Sequence, residues 1–142
     1  DPNTHECLQK LKDAGCRLGL ISNASDAPNA FRLINKHNLA QYFSVSLISS
    51  IVGYRKPHEK IFNIALCSTT DIEKDDVYMV GDLLTTDVIG GNQAGINTEY
   101  NTSEIELAAS AYNAAEPVNL ATILFPTANK TLPIMVIIIA VQ

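Results

Sequence analysis

From its first residues to about Tyr100 the chain alternates short apolar runs with segments whose apolar residues recur at helical spacing. Asn3 and Glu6 form a capping-box pattern for a helix running through Lys12, with Leu8 and Leu11 on its apolar face and Gly15 as its stop. Leu18 to Ile21 then reads as a short strand that ends in the polar cluster Ser22-Asn23-Ala24-Ser25-Asp26. Asp26 suits the cap of a second helix, with Pro28 in its first turn and Phe31, Leu33 and Ile34 on its buried side before His37-Asn38. Val45 to Ile48 is a second strand. A helix is predicted from about His58 to Leu66, carrying Ile61, Phe62, Ala65 and Leu66 on one face. Val77 to Val80 is a buried strand stopped by Gly81-Asp82. Thr86 to Ala94 is helical and closed by Gly95, and Ile96 to Tyr100 is the next strand.

Further along the pattern thins. Ser103 with Glu106 suggests a cap for a helix over Glu104 to Tyr112, and beyond Pro117 the periodicity weakens. Leu132 to Val141 is almost wholly apolar, but its ten residues are half of the roughly 20 that a helical membrane span requires. A buried strand is the plainer reading there, with a truncated membrane segment or a mis-read tail as the alternatives. No repeat, linker or low-complexity stretch divides the chain, so residues 1–142 are taken as one α/β domain. Four βα alternations at this spacing imply a parallel sheet with right-handed crossovers. Ligands of such sheets bind beyond the carboxyl ends of the strands.

Composition agrees: 46% hydrophobic and 18% charged residues are enough to build one core. The net charge of −5 provides no broad positive field, which argues against a nucleic-acid partner. Cys7, Cys16 and Cys67 are odd in number and widely spaced in apolar context, as structural thiols of a reducing cytoplasm would be. The opening Asp1-Pro2-Asn3 has no Met, basic region or apolar core of a signal peptide, and reads as a cut, not as a natural start.

Polar groups that could carry chemistry cluster where strands are predicted to end. Gly81-Asp82-Leu83-Leu84-Thr85-Thr86-Asp87 sets two carboxylates five residues apart across a strand-to-helix turn, where both can face one hard cation such as magnesium. The plainer reading is that Asp87 favours a helix N-terminus and Asp82 caps the turn. Lys56, before Pro57, is placed to neutralise a carboxylate and a phosphoryl group, or else to lie solvated on the surface. Ser22 and Asn23 offer a hydroxyl and turn N–H groups to phosphate oxygens, or simple loop polarity.

The order of these segments narrows the choice. Leu18-Gly-Leu-Ile-Ser-Asn23, Gly53-Tyr-Arg-Lys-Pro-His-Glu-Lys-Ile-Phe62 and Val80-Gly-Asp-Leu-Leu-Thr-Thr-Asp-Val-Ile-Gly-Gly-Asn-Gln-Ala-Gly95 resemble the second, third and fourth motifs of the haloacid dehalogenase-like (HAD) superfamily, in the branch with an early helical cap. The resemblance spans Asn3 to about Tyr100; residues 101–142 are a loosely assigned tail. It implies part of a three-layer, Rossmann-like HAD core, with Ser22 bonding the phosphoryl group and Asn23 assisting through its backbone. Lys56 would steady the nucleophile and the phosphoryl charge, while Asp82 and Asp87 hold magnesium, Asp87 through water. The implied reaction is hydrolysis of small phosphorylated metabolites through an aspartyl-phosphate. Haloacid dehalogenases, which act without metal, and a phosphomutase or phosphonate-cleaving relative are the family alternatives. A response-regulator module also combines acids, a hydroxyl and Lys-Pro, but there the acid pair precedes the Lys-Pro, whereas here it follows.

The resemblance also implies a strand ending in Asp-x-Asp-x-Thr, which bears the nucleophile, and a cap that selects the substrate; neither is in these 142 residues. Asp1-Pro2-Asn3-Thr4 has no preceding strand and no second acid. The chain by itself is therefore expected to be inactive and a poor magnesium binder, either half of a working phosphatase or a non-catalytic remnant. Its substrate and oligomeric state are not readable from it. Loss of a central strand further predicts unpaired strand edges and a marginal, aggregation-prone fold.

Overall fold

Leu18, Gly19, Leu20 and Ile21 are buried without interruption, the mark of a strand covered on both faces, and they form the inner part of β1 (Arg17–Ser22). The computed structural model describes residues 4–100 and 135–138. Around β1 run α1 (Thr4–Asp13), α2 (Ala27–Lys36), β2 (Phe43–Ile48), α3 (Ser49–Val52), α4 (Glu59–Leu66), β3 (Val77–Gly81), α5 (Ile89–Ala94), β4 (Asn97–Tyr100) and β5 (Met135–Ile138). The strands form one sheet in the order β2-β1-β5-β3-β4, and every neighbouring pair is parallel.

The sheet separates two layers of helices. Leu18 and Val80 pack with Leu8 and Leu11 of α1, and Leu20 with Ala27, Ala30 and Ile34 of α2. On the opposite face Ile21, Val77 and Met79 meet Ile61, Phe62 and Ala65 of α4 and Ala94 of α5. This is the expected three-layer α/β arrangement. Local signals act as read: the Asp26 side chain accepts the Asn29 N–H, with Pro28 just inside α2, and Gly95 closes α5 in the left-handed region at φ 73°. Asn3, Glu104–Tyr112 and the remainder of Leu132–Val141 lie outside the described residues.

Three features differ from the sequence expectation. The unpaired edges predicted at the middle of the sheet are absent, because β5 lies there. It pairs Val136 and Ile138 with Leu18 and Leu20 on one side and with Tyr78 and Val80 on the other. β1 and β3 are buried, and their inner backbone groups find partners in β5. The helix expected from Thr86 begins earlier, as a wide π turn over Leu84–Val88 that continues into α5. The short α3 was not foreseen; Gly53 at φ 83° ends it.

Among the described residues no helix is long and apolar enough to cross a membrane. The paired glycines of α5 are packing devices. A Cβ on Gly90 would come within 2.5 Å of the Phe62 ring and 3.0 Å of Pro57 Cα, and one on Gly91 within 2.5 Å of Thr98. Their absence lets α5 lie flush against α4 and the sheet. Gly90→Val is therefore expected to destabilise the fold by about 1–3 kcal/mol through overpacking, read as a lower urea midpoint at unchanged slope. A midpoint equal to wild type would show that α5 is not tightly seated.

Candidate functional site

β1, β3 and the turn before α4 deliver four of the five predicted site residues to the carboxyl edge of the sheet, and Asn23 follows directly on β1. Ser22 is the last residue of β1, buried and level with Ile48 of β2. Lys56 sits in the turn between α3 and α4, its peptide bond to Pro57 cis. Asp82 follows β3, and Asp87 projects from the π turn.

Lys56 is only 5% exposed and Asp87 is 0% exposed, and their charged ends meet at 2.9 Å between Nζ and Oδ1. The lysine also donates to the Ile21 carbonyl at 3.1 Å, next to Ser22. Asp87 is held on all sides: Oδ1 also accepts from Thr86 Oγ1 at 2.9 Å, and Oδ2 accepts the Leu83 N–H at 3.1 Å. Its own N–H donates to the Leu83 carbonyl at 2.8 Å, so side chain and backbone together shape the wide turn. Burial pushes the Lys56 ammonium below the ordinary lysine range, while the hydrogen bond and charge of Asp87, then the charge of Asp82, pull it back. Asp82 is exposed on the rim. Asn23 is half-buried, with its side chain turned to the Lys56 backbone.

The structure thus joins Lys56 and Asp87 directly and sets Asp82 within their electrostatic reach. The plain reading of Lys56 as a solvated surface lysine is excluded. Sequence reasoning missed Thr86 and the Leu83 N–H, which orient Asp87; an adjacent hydroxyl and a turn N–H leave no pattern of their own. Among the described residues no three His, Cys, Asp or Glu side chains gather as a metal cage. Magnesium tolerates one or two carboxylates with the remaining positions held by water or substrate oxygen, and the donor chemistry of Asp82 and Asp87 fits that habit. Asp87 is fully buried with both oxygens hydrogen-bonded, whereas Asp82 is exposed on the rim. A cavity of about 370 Å³ lies at the other end of the sheet, lined by Lys12, Cys16, Arg17, Tyr42 and Phe43 among others, and takes no part in this cluster.

The model of the haloacid dehalogenase-like hydrolase family matches residues 2–100, and the chain belongs to that family. It is 38% identical over 82 residues to the pyrimidine 5'-nucleotidase YjjG of Escherichia coli, covering 58% of this chain and 36% of that protein. It is 30% identical over 97 residues to the glyceraldehyde 3-phosphate phosphatase of Pyrococcus abyssi, covering 68% of this chain and 40% of that enzyme. A HAD phosphatase structure from Thermococcus onnurineus superposes with a TM-score of 0.64 at 23% identity, covering 96% of this chain and 53% of the other, which shows the shared fold. The chain therefore spans well under two thirds of the length of each of these three proteins.

The two acids should differ sharply in their weight. Asp87→Ala leaves the Lys56 charge buried without its partner and is expected to cost about 3–5 kcal/mol, whereas Asp82→Ala should unfold close to wild type. Urea denaturation of both variants decides it; equal costs would mean that the buried pair does not govern this edge.

Proposed function

We propose that the protein to which this chain belongs is a magnesium-dependent phosphoric monoester hydrolase acting on small phosphorylated metabolites through an aspartyl-phosphate. The observation that carries the reading is the buried Lys56–Asp87 pair at the carboxyl edge, beside Ser22 and below the exposed Asp82. The names of the relatives, a nucleotidase and phosphatases of small phosphoesters, support the substrate class. The two-acid turn favours this over metal-free dehalogenation. Free thiols at Cys7, Cys16 and Cys67 fit a cytoplasmic place for it.

In this reading Ser22 donates its hydroxyl to a phosphoryl oxygen, and Lys56 holds its ammonium where the attacking carboxylate and the transferring phosphoryl group meet. Asp87 keeps that ammonium in place, and Asp82 presents its carboxylate to the cation. Magnesium, when bound, neutralises phosphoryl charge and polarises its oxygens. The nucleophile is an aspartate that these 142 residues do not supply, since they contain no Asp-x-Asp-x-Thr. Attack by that aspartate on phosphorus expels the alcohol, and water then releases phosphate.

The test uses para-nitrophenyl phosphate with this chain and with a longer product of the same gene, read upstream of Asp1 for the missing strand. The chain alone is expected to stay at the buffer rate. The longer protein should hydrolyse the ester, lose activity with EDTA and regain it with magnesium. Ser22→Ala or Lys56→Met should lower its kcat by about 10²–10³. If the upstream sequence encodes no such strand, or activity survives Lys56→Met, the phosphatase reading fails.

A further inference from the structure

Lys56 has a long, flexible side chain, yet its Nζ is confined between the Ile21 carbonyl at 3.1 Å and Asp87 Oδ1 at 2.9 Å. Confinement at the tip requires confinement at the root, and one residue provides it. Asn23 Oδ1 accepts the Lys56 backbone N–H at 2.8 Å, and Asn23 Nδ2 donates to the Lys56 carbonyl at 2.9 Å. Both backbone polar groups of the lysine are thus satisfied by one primary amide, across 33 residues of chain. An amide is the side-chain group that offers a donor and an acceptor side by side on one carbon. Aspartate of the same length offers two acceptors, serine is too short to bridge both groups, and alanine offers nothing.

We propose that Asn23 is the positioning residue for Lys56. It latches the turn between α3 and α4 to the end of β1, so that the ammonium enters the carboxyl edge from a fixed origin. Asn23 and Ile21 both flank Ser22, so the short stretch at the end of β1 and just beyond it holds the lysine at root and tip and carries the hydroxyl. The side chain of Asn23 is oriented by this latch toward the Lys56 backbone, with one N–H and the carbonyl oxygen engaged there. The placement of Nζ is independent of the reaction; only its use for phosphoryl charge rests on the proposed phosphatase reading.

The experiment is hydrogen exchange by NMR on the 142-residue chain, following the Lys56 ammonium protons together with the amides of Leu20, Phe62 and Leu83. Asn23→Ala is expected to speed exchange of the Lys56 ammonium by about tenfold, the scale of losing two hydrogen bonds of ordinary net strength, while the three amides keep their wild-type rates. An unchanged ammonium, or all sites accelerating in step, overturns the inference, the latter because it marks a purely structural role. Should Asn23→Ala not fold, Asn23→Asp keeps the shape and the acceptor but not the donor. It should speed the ammonium while the Lys56 amide stays protected, and a wild-type ammonium rate there overturns the inference equally. A second arm titrates inorganic phosphate, with magnesium present, into the longer product of the same gene that carries the nucleophile strand. The weakening caused by Asn23→Ala should vanish in a Lys56→Met background, and a full effect in that background overturns the positioning role by showing direct contact of Asn23 with the anion. Failure of the wild type to bind phosphate at all counts against the phosphatase reading, and the exchange rates still decide the role of Asn23.

Discussion

A lysine ammonium buried to 5% exposure is the constraint around which the carboxyl edge is organised. Removing such a charge from water costs several kcal/mol even after relaxation, so it persists only where a partner charge and further hydrogen bonds replace the lost hydration. The countercharge and the carbonyl come from different elements. Asp87 supplies the countercharge from the π turn, Ile21 a carbonyl from β1, and Thr86 and the Leu83 N–H hold Asp87 in position. The wide turn after β3 follows from the same demand, because Asp87 must point inward while its backbone N–H reaches the Leu83 carbonyl. Gly90 and Gly91 then let the continuing helix lie close to Phe62 and Met79, which keeps that turn at the sheet.

What could be read from the sequence was what local chemistry determines. Asp26 with Pro28 announces a helix start, Gly95 a helix end, and Leu18 to Ile21 a buried strand, each through interactions within a few residues. The three motifs placed Ser22, Lys56, Asp82 and Asp87 at one edge, and the structure brings them there. What stayed hidden depends on contacts far apart in the chain. Nothing local tells that Asp87 is enclosed while Asp82 is exposed, since both are aspartates in one seven-residue stretch. Asn23 sat in the right loop, but its use of the side chain on a backbone 33 residues away leaves no spacing signal.

The position of β5 belongs to the same class of long-range outcome, and polarity along the sheet explains it. β1 and β3, which flank the centre, are buried nearly throughout. β2 mixes serines among its apolar residues and is only partly buried, while β4 reads Asn-Thr-Glu-Tyr; both lie at the edges. Met-Val-Ile-Ile carries no polar residue, and it pairs between the two strands that are themselves the most buried. A polar run at the end of this chain would have left the flanking strands to each other or to a second molecule. The apolar one closes the sheet, and the expectation of open edges failed because it treated that run apart from the gap beside it.

Charge at the site sets what the proposed chemistry requires. One ammonium faces two carboxylates, and the whole chain carries −5, so neither the edge nor its surroundings attract a phosphoryl dianion unaided. Lys56 is already neutralised by Asp87, and its contribution to an incoming anion is a directed hydrogen-bond donor more than a free charge. A divalent cation on Asp82 reverses the balance, turning a net negative rim into one that accepts a dianion. Asp87 is enclosed and holds the lysine, while Asp82 is exposed, as the proposed metal would require. The two aspartates, alike in sequence, thus differ in environment through the partners and the burial that the fold gives to Asp87.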